Sequence, residues 1–150
     1  MTVKTYDPLL SEVLQKVHNA KTKAQKIKIL KENDSPALRS ICKWSFDPAI
    51  ESALPEGAPP YVPNEAPEGT EHTKLSTEHS KLYHYVKGGN DSLQNTRREM
   101  MFVQLLEGLH QNEAELLINT KDKKLHQAYK GFSSAVVKEA FGWNDEYVRV

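Results

Sequence analysis

The 150 residues predict an all-α fold: a single compact domain of about seven short helices in antiparallel hairpins, crossed by an extended proline-rich strap. Three observations predict it. Apolar residues recur at spacings of three and four along most of the chain, which places them on one side of a helix. Ser, Thr or Asp stands just ahead of several of these runs, twice with proline at the first helical position. No pair of segments alternates apolar and polar residues as paired strands do, and no internal repeat of fixed period occurs.

Taken in order, residues 1–50 read as a basic helical unit. Asp7-Pro8 opens a first helix whose stripe is Leu9, Leu10, Val13, Leu14 and Val17. Thr22 and Gln25 have capping-box spacing and start a second helix carrying Ala24, Ile27, Ile29 and Leu30. Ser35-Pro36 starts a third, with Leu38, Ile41, Cys42, Ser45 and Phe46 on its inner side and Trp44 off that line. From 54 to 70 the composition changes to an acidic strap. Five prolines between Pro55 and Pro67 fix φ, remove donors and force extended geometry.

Residues 71–142 form the helical core. Thr70 opens a helix in which Leu75, His79, Leu82 and Val86 follow a seven-residue pattern at steps of four and three, flanked by Tyr83 and Tyr85 and ended by Gly88-Gly89. The most apolar stretch follows, from Thr96 to Ile118. Thr96 and Glu99 form a capping box, and Met100, Val103, Leu106 and His110 follow one line, widened by Met101, Phe102, Leu105 and Leu109. Gly108 breaks the stretch and Asn112 with Glu115 caps its second half, which predicts a central hairpin. After the charged turn Lys121-Asp122-Lys123-Lys124, Ser133 caps a last helix with Val136, Val137, Ala140 and Phe141 inward, closed by Gly142. Residues 143–150 are a tail bearing Trp143, Tyr147 and Val148.

Composition narrows the function classes. Twenty basic and twenty acidic residues cancel, so no global field draws the chain to nucleic acid or an anionic membrane. The balance is uneven, with nine basic and five acidic residues in 1–50 and five acidic and no basic residues in 51–73. One cysteine, Cys42, excludes an internal disulfide and a Cys-x-x-Cys metal site, and suits a reducing compartment. No window reaches the roughly 20 apolar residues of a membrane helix, so no membrane partner is expected.

Catalytic and metal patterns are missing. His72, His79 and His84 are seven and five residues apart, neither of which puts two imidazoles on one helical face, so no metal is predicted. Cys42 falls on an inner helical face, no Gly-x-Ser-x-Gly elbow or phosphate-binding glycine loop is present, and Glu113 and Glu115 lie on different faces. The reading is therefore a non-enzymatic chain without catalytic residues or cofactor. Aromatic and apolar residues on the strap and tail, namely Tyr61, Val62, Trp143 and Tyr147, are the partner-binding candidates; pinning of strap and tail to the core is their alternative role. A second reading is a weak nucleic-acid binder using Lys21, Lys23, Lys26, Lys28, Arg97 and Arg98, with Lys121, Lys123, Lys124 and Lys130 joining them in space. A third is a nucleotide or small-molecule sink lined by His79, Tyr83 and Arg97.

Several of these segments carry a resemblance. Ser35-Pro36-Ala37-Leu38-Arg39, the strap Leu54 to Asn64, Met101 to Leu109, Lys121 to Leu125, Tyr129-Lys130-Gly131 and Val137 to Phe141 resemble a family of small uncharacterised proteins of T-even-like tailed phages of marine cyanobacteria. The resemblance spans nearly the whole chain. It implies a phage product in the cytoplasm of an infected bacterium, and carries no catalytic residue with it. It favours an interaction module whose partner is a host or phage protein, with a structural component of the virion as a further reading and a homo-oligomer as an open form.

Overall fold

The computed structural model describes residues 9–64 and 73–148. Among them, eight α-helical segments and one 3-10 helix enclose a continuous apolar core, and the fold is all-α. The helices are α1 (Leu10–Asn19), α2 (Lys23–Glu32), α3 (Pro36–Phe46), α4 (Leu75–Glu78), the 3-10 helix (His79–Tyr85), α5 (Asn95–Gly108), α6 (Gln111–Lys121), α7 (Leu125–Ala128) and α8 (Ser134–Phe141). Pairing among the described residues is limited to one isolated antiparallel bridge, Ser52 with Val86.

Local capping sets many of the starts. The Thr22 hydroxyl accepts the Gln25 N–H at 3.1 Å while the Gln25 amide oxygen accepts from Thr22, a complete capping box. Ser35 and Ser133 cap α3 and α8 by accepting the N–H groups of Leu38 and Val136. Gly142 closes α8 at φ +67°, a left-handed conformation that a side chain would strain. The expected starts at Asp7-Pro8 and Thr70 lie outside the described residues.

Other boundaries and faces depart from the sequence reading. Thr96 caps nothing: α5 begins at Asn95 behind Gln94, which makes no side-chain cap. Nor does Asn112 cap α6; the imidazole of His110 does, accepting the Asn112 N–H at 3.1 Å. The buried line of α5 is Arg98, Phe102 and Leu106, whereas Met100 is 53% exposed and Val103 half-buried. The reason is that apolar residues surround α5 on most sides, so periodicity alone does not choose the inward one. Trp44 is buried, not off the core, because α3 is covered by α4, the 3-10 helix, α6 and α8 together.

The expected long helix from Thr70 is, within the described residues, one α turn followed by a 3-10 helix. Leu75 and Leu82 are buried as the spacing required, while Val86 leaves the helix to bridge Ser52. Gly89 follows because a Cβ there would collide with the Tyr83 carbonyl. Hairpin contacts join α1 to α2 and α5 to α6, and α8 returns to pack along α2. No described helix is long and apolar enough to cross a membrane.

Candidate functional site

Four cations that read as surface charge in the sequence hold the fold together. Lys26 is buried, and its ammonium donates to the carbonyls of Val17, Ala20 and Lys130 at 2.6, 2.8 and 3.1 Å. It satisfies the free carbonyls at the end of α1 and pins the loop before α8. Arg98 is buried too, its guanidinium donating to the carbonyls of His84, Asn90 and Leu93 and to the Asn95 side chain. Lys121 donates to the carbonyls of Pro55 and Gly57 and pairs with Asp122. Lys123 donates to the carbonyls of Trp44 and Asp47 at 2.6 and 2.9 Å, and burial lowers its pKa despite Asp47 and Glu51.

The nucleic-acid set is therefore corrected at Lys26 and Arg98, whose charges are enclosed and fully engaged. Lys23 pairs with Glu139 and Lys28 with Glu32 at the surface, leaving Lys21 and Arg97 as exposed cations without a side-chain partner among the described residues.

The strap is fixed to α5 and α6 by bonds that suit its chemistry. Prolines leave carbonyls without a ladder partner, and Lys121 supplies the donors. Gly57, at φ +94°, donates its N–H to Asp122, and Val62 donates its N–H to Glu107 at 2.8 Å. Tyr61 is half-buried against the core and its hydroxyl accepts from Gln111 at 3.1 Å. Val62 projects its side chain outward and is 72% exposed.

Between strap and α5 lies a groove of about 660 Å³. Leu54, Pro55, Pro59 and Pro60 form one wall, Met100 and Val103 the other. Glu99 lines it too, as does Glu56, which pairs with Lys124 at 3.2 Å. Lys121 lines it as well, but its ammonium is taken up in holding the strap wall. The exposed Met100 that departed from the core line thus belongs to this groove.

The tail aromatics serve another end of the molecule. Tyr147 is buried, which corrects its assignment as a partner contact. Its ring packs near Trp143 with centroids 6.2 Å apart and lies under the Lys138 ammonium at 4.9 Å. Trp143 is half-buried against Phe141 at 4.9 Å. These residues pin the tail to α8.

Candidate chemistry elsewhere is accounted for by structure. Cys42 is fully buried and burial pushes its thiol far up from the ordinary range. Glu113 is buried and its two oxygens accept the N–H groups of Leu10 and Leu75, at the starts of α1 and α4. His18 accepts the Lys130 N–H, and His84 contacts the Asn90 side chain. His79 and Tyr83 share a depression of about 240 Å³ beside Trp44, but Arg97 does not line it. No group of three or more potential metal ligands assembles among the described residues.

The arrangement thus offers an apolar groove between the strap and α5. Comparison with known proteins adds the family. No curated protein and no solved structure matches the chain. A family model described as a family of unknown function, DUF6433, matches residues 13–127, and the chain belongs to that family.

Proposed function

We propose that this chain is a non-enzymatic, phage-encoded interaction module that acts in the cytoplasm of an infected bacterium by gripping a host or phage protein in the groove between its strap and α5. The observation that carries the reading is the groove itself. Its walls are apolar, one of them is a proline-stiffened segment already held in place by Lys121, and Met100 stands 53% exposed at its edge. A wall that is ordered before contact loses little entropy on binding, and a flexible methionine adapts to the partner's shape. Glu99 beside the groove favours a partner segment with apolar anchors and a basic flank, Glu56 being already paired with Lys124 at 3.2 Å.

The test compares the tagged chain with Met100→Glu in capture from infected cells, with and without nuclease. Retention of one protein by the parent chain after nuclease, lost in the variant at unchanged melting temperature, supports the reading. Retention that disappears with nuclease transfers the function to nucleic acid, and high copy number in purified particles makes the chain a virion component; either result overturns it.

A further inference from the structure

The outer side of the strap carries a pattern that the groove does not use. Pro59-Pro60-Tyr61-Val62-Pro63 places an apolar residue and a proline, one intervening residue, then an apolar residue and a proline again. Three of the five positions are prolines, whose rings fix φ, and Ala58, Pro59 and Val62 each precede a proline and are held extended. The segment is therefore a short polyproline II helix, with three residues per turn.

That period sorts the residues onto three edges. Tyr61 and Asn64 share one edge, and it is the edge tied to the body: the Tyr61 hydroxyl accepts from Gln111 at 3.1 Å and the Asn64 carboxamide donates to the Gly108 carbonyl at 3.4 Å. Pro59 with Val62 and Pro60 with Pro63 form the other two. Pro60 and Pro63 are exposed, Val62 is 72% exposed and Pro59 is half-buried. Among the described residues the carbonyls of Pro60, Val62 and Pro63 accept no hydrogen bond. The one N–H between the last two prolines, that of Val62, is already donated to Glu107 at 2.8 Å.

The segment thus presents two apolar edges and free acceptors, and has no donor left to offer. Those are the features read by a groove of paired aromatic-walled pockets whose tyrosine and tryptophan side chains donate to the ligand's carbonyls. A proline-binding site that requires an exposed tyrosine does not fit, because Tyr61 is the residue turned to the body. Charge adds one more feature of the partner. Glu107 lies directly behind Val62 and has no cation partner among the described residues, so a basic residue beside the pocket for Val62 complements it.

We propose that the outer face of the strap docks in the proline-binding groove of an SH3-type domain, with Pro59-Pro60 in one aromatic-walled pocket and Val62-Pro63 in the next. The segment is held at both ends before contact, by Lys121 at Gly57 and by Gly108 at Asn64, so little conformational entropy is lost on docking. This surface goes beyond the groove: Pro59 and Pro60 touch both, whereas Val62 and Pro63 lie outside the groove, and Met100 and Val103 belong to it.

The experiment is an NMR titration of the isotope-labelled full chain with a panel of purified SH3 domains whose groove rims range from acidic to basic, and with a WW domain in a separate arm. Saturable shifts of the Val62 methyl and Pro63 signals are expected with basic-rimmed SH3 domains, weakening as salt is raised. Val62→Ala removes two exposed methyl groups, so its melting temperature equals the parent's while affinity falls about tenfold. Pro63→Ala is expected to weaken binding similarly, and Met100→Glu to leave it unchanged, which separates this surface from the groove. The absence of a saturable shift at Val62 with every SH3 domain overturns the proposal. So do binding to the WW domain alone, undiminished binding by both strap variants, and loss of binding in Met100→Glu.

Discussion

Replacing Glu113 with Gln tests the hydrogen-bonding logic of the interior at its most central point. The carboxylate is fully buried; Oε2 accepts the Leu10 N–H at 3.0 Å and Oε1 the Leu75 N–H at 3.1 Å. These donors stand at the first positions of α1 and α4, where backbone N–H groups have no partner within the helix. Glutamine keeps the shape but turns one acceptor into a donor, which then faces an N–H. Hydrogen bonds to a charged group are worth about 1.5–3 kcal/mol, and a negative charge at a helix N-terminus adds about 0.3–1 kcal/mol. Losing one bond outright and the charge at two helix starts sums to about 2–5 kcal/mol. Against a total stability of about 5–15 kcal/mol for a domain, that is a large fraction. Equilibrium urea unfolding measures it, with an unchanged slope showing that the denatured state is unaffected. Amide exchange at Leu10 and Leu75 should accelerate more than in α8. A loss below about 1 kcal/mol, or exchange that accelerates uniformly, refutes the argument that this carboxylate caps two helices.

Three further outcomes follow from buried groups. Lys121→Met strips the donors from Pro55 and Gly57 and leaves Asp122, 6% exposed at its side chain, without its cation; a loss of about 3–5 kcal/mol and faster protease cleavage of the strap are expected. Cys42 should resist a thiol reagent in the native chain by on the order of a thousandfold relative to the denatured one, because only opened molecules expose it; native labelling at the rate of a free thiol would contradict its burial. Tyr85 and Tyr129 have pKa values pushed up to about 12, chiefly by burial and then by Glu78 for the first and by Glu115 and Glu113 for the second. The unfolded chain releases these phenolic protons near pH 10, before the folded chain does, so their contribution to stability is complete below about pH 10 and disappears as pH rises towards 12. Melting temperature against pH should fall across that window, and Tyr85→Phe with Tyr129→Phe should flatten the fall.

What the sequence by itself determined is the set of features whose physics closes within a few residues. The caps at Thr22, Ser35 and Ser133, and the glycine stop at Gly142, each need only a side chain and the backbone one turn away. The all-α class and the proline strap follow equally from local pattern. What only the tertiary structure decided is which polar groups go inside. Lys26 meets Lys130 across 104 positions, Glu113 meets Leu10 across 103, and Lys121 reaches Pro55 across 66. Nothing near these residues in sequence distinguishes them from solvated neighbours such as Lys28. The same holds for α5, where apolar residues on most sides left the inward face open until Phe102 met Tyr85 and Met100 was turned to the groove. The groove arises from surfaces contributed by separated segments, and contact at that range is fixed by packing of the whole chain, which local propensity does not encode.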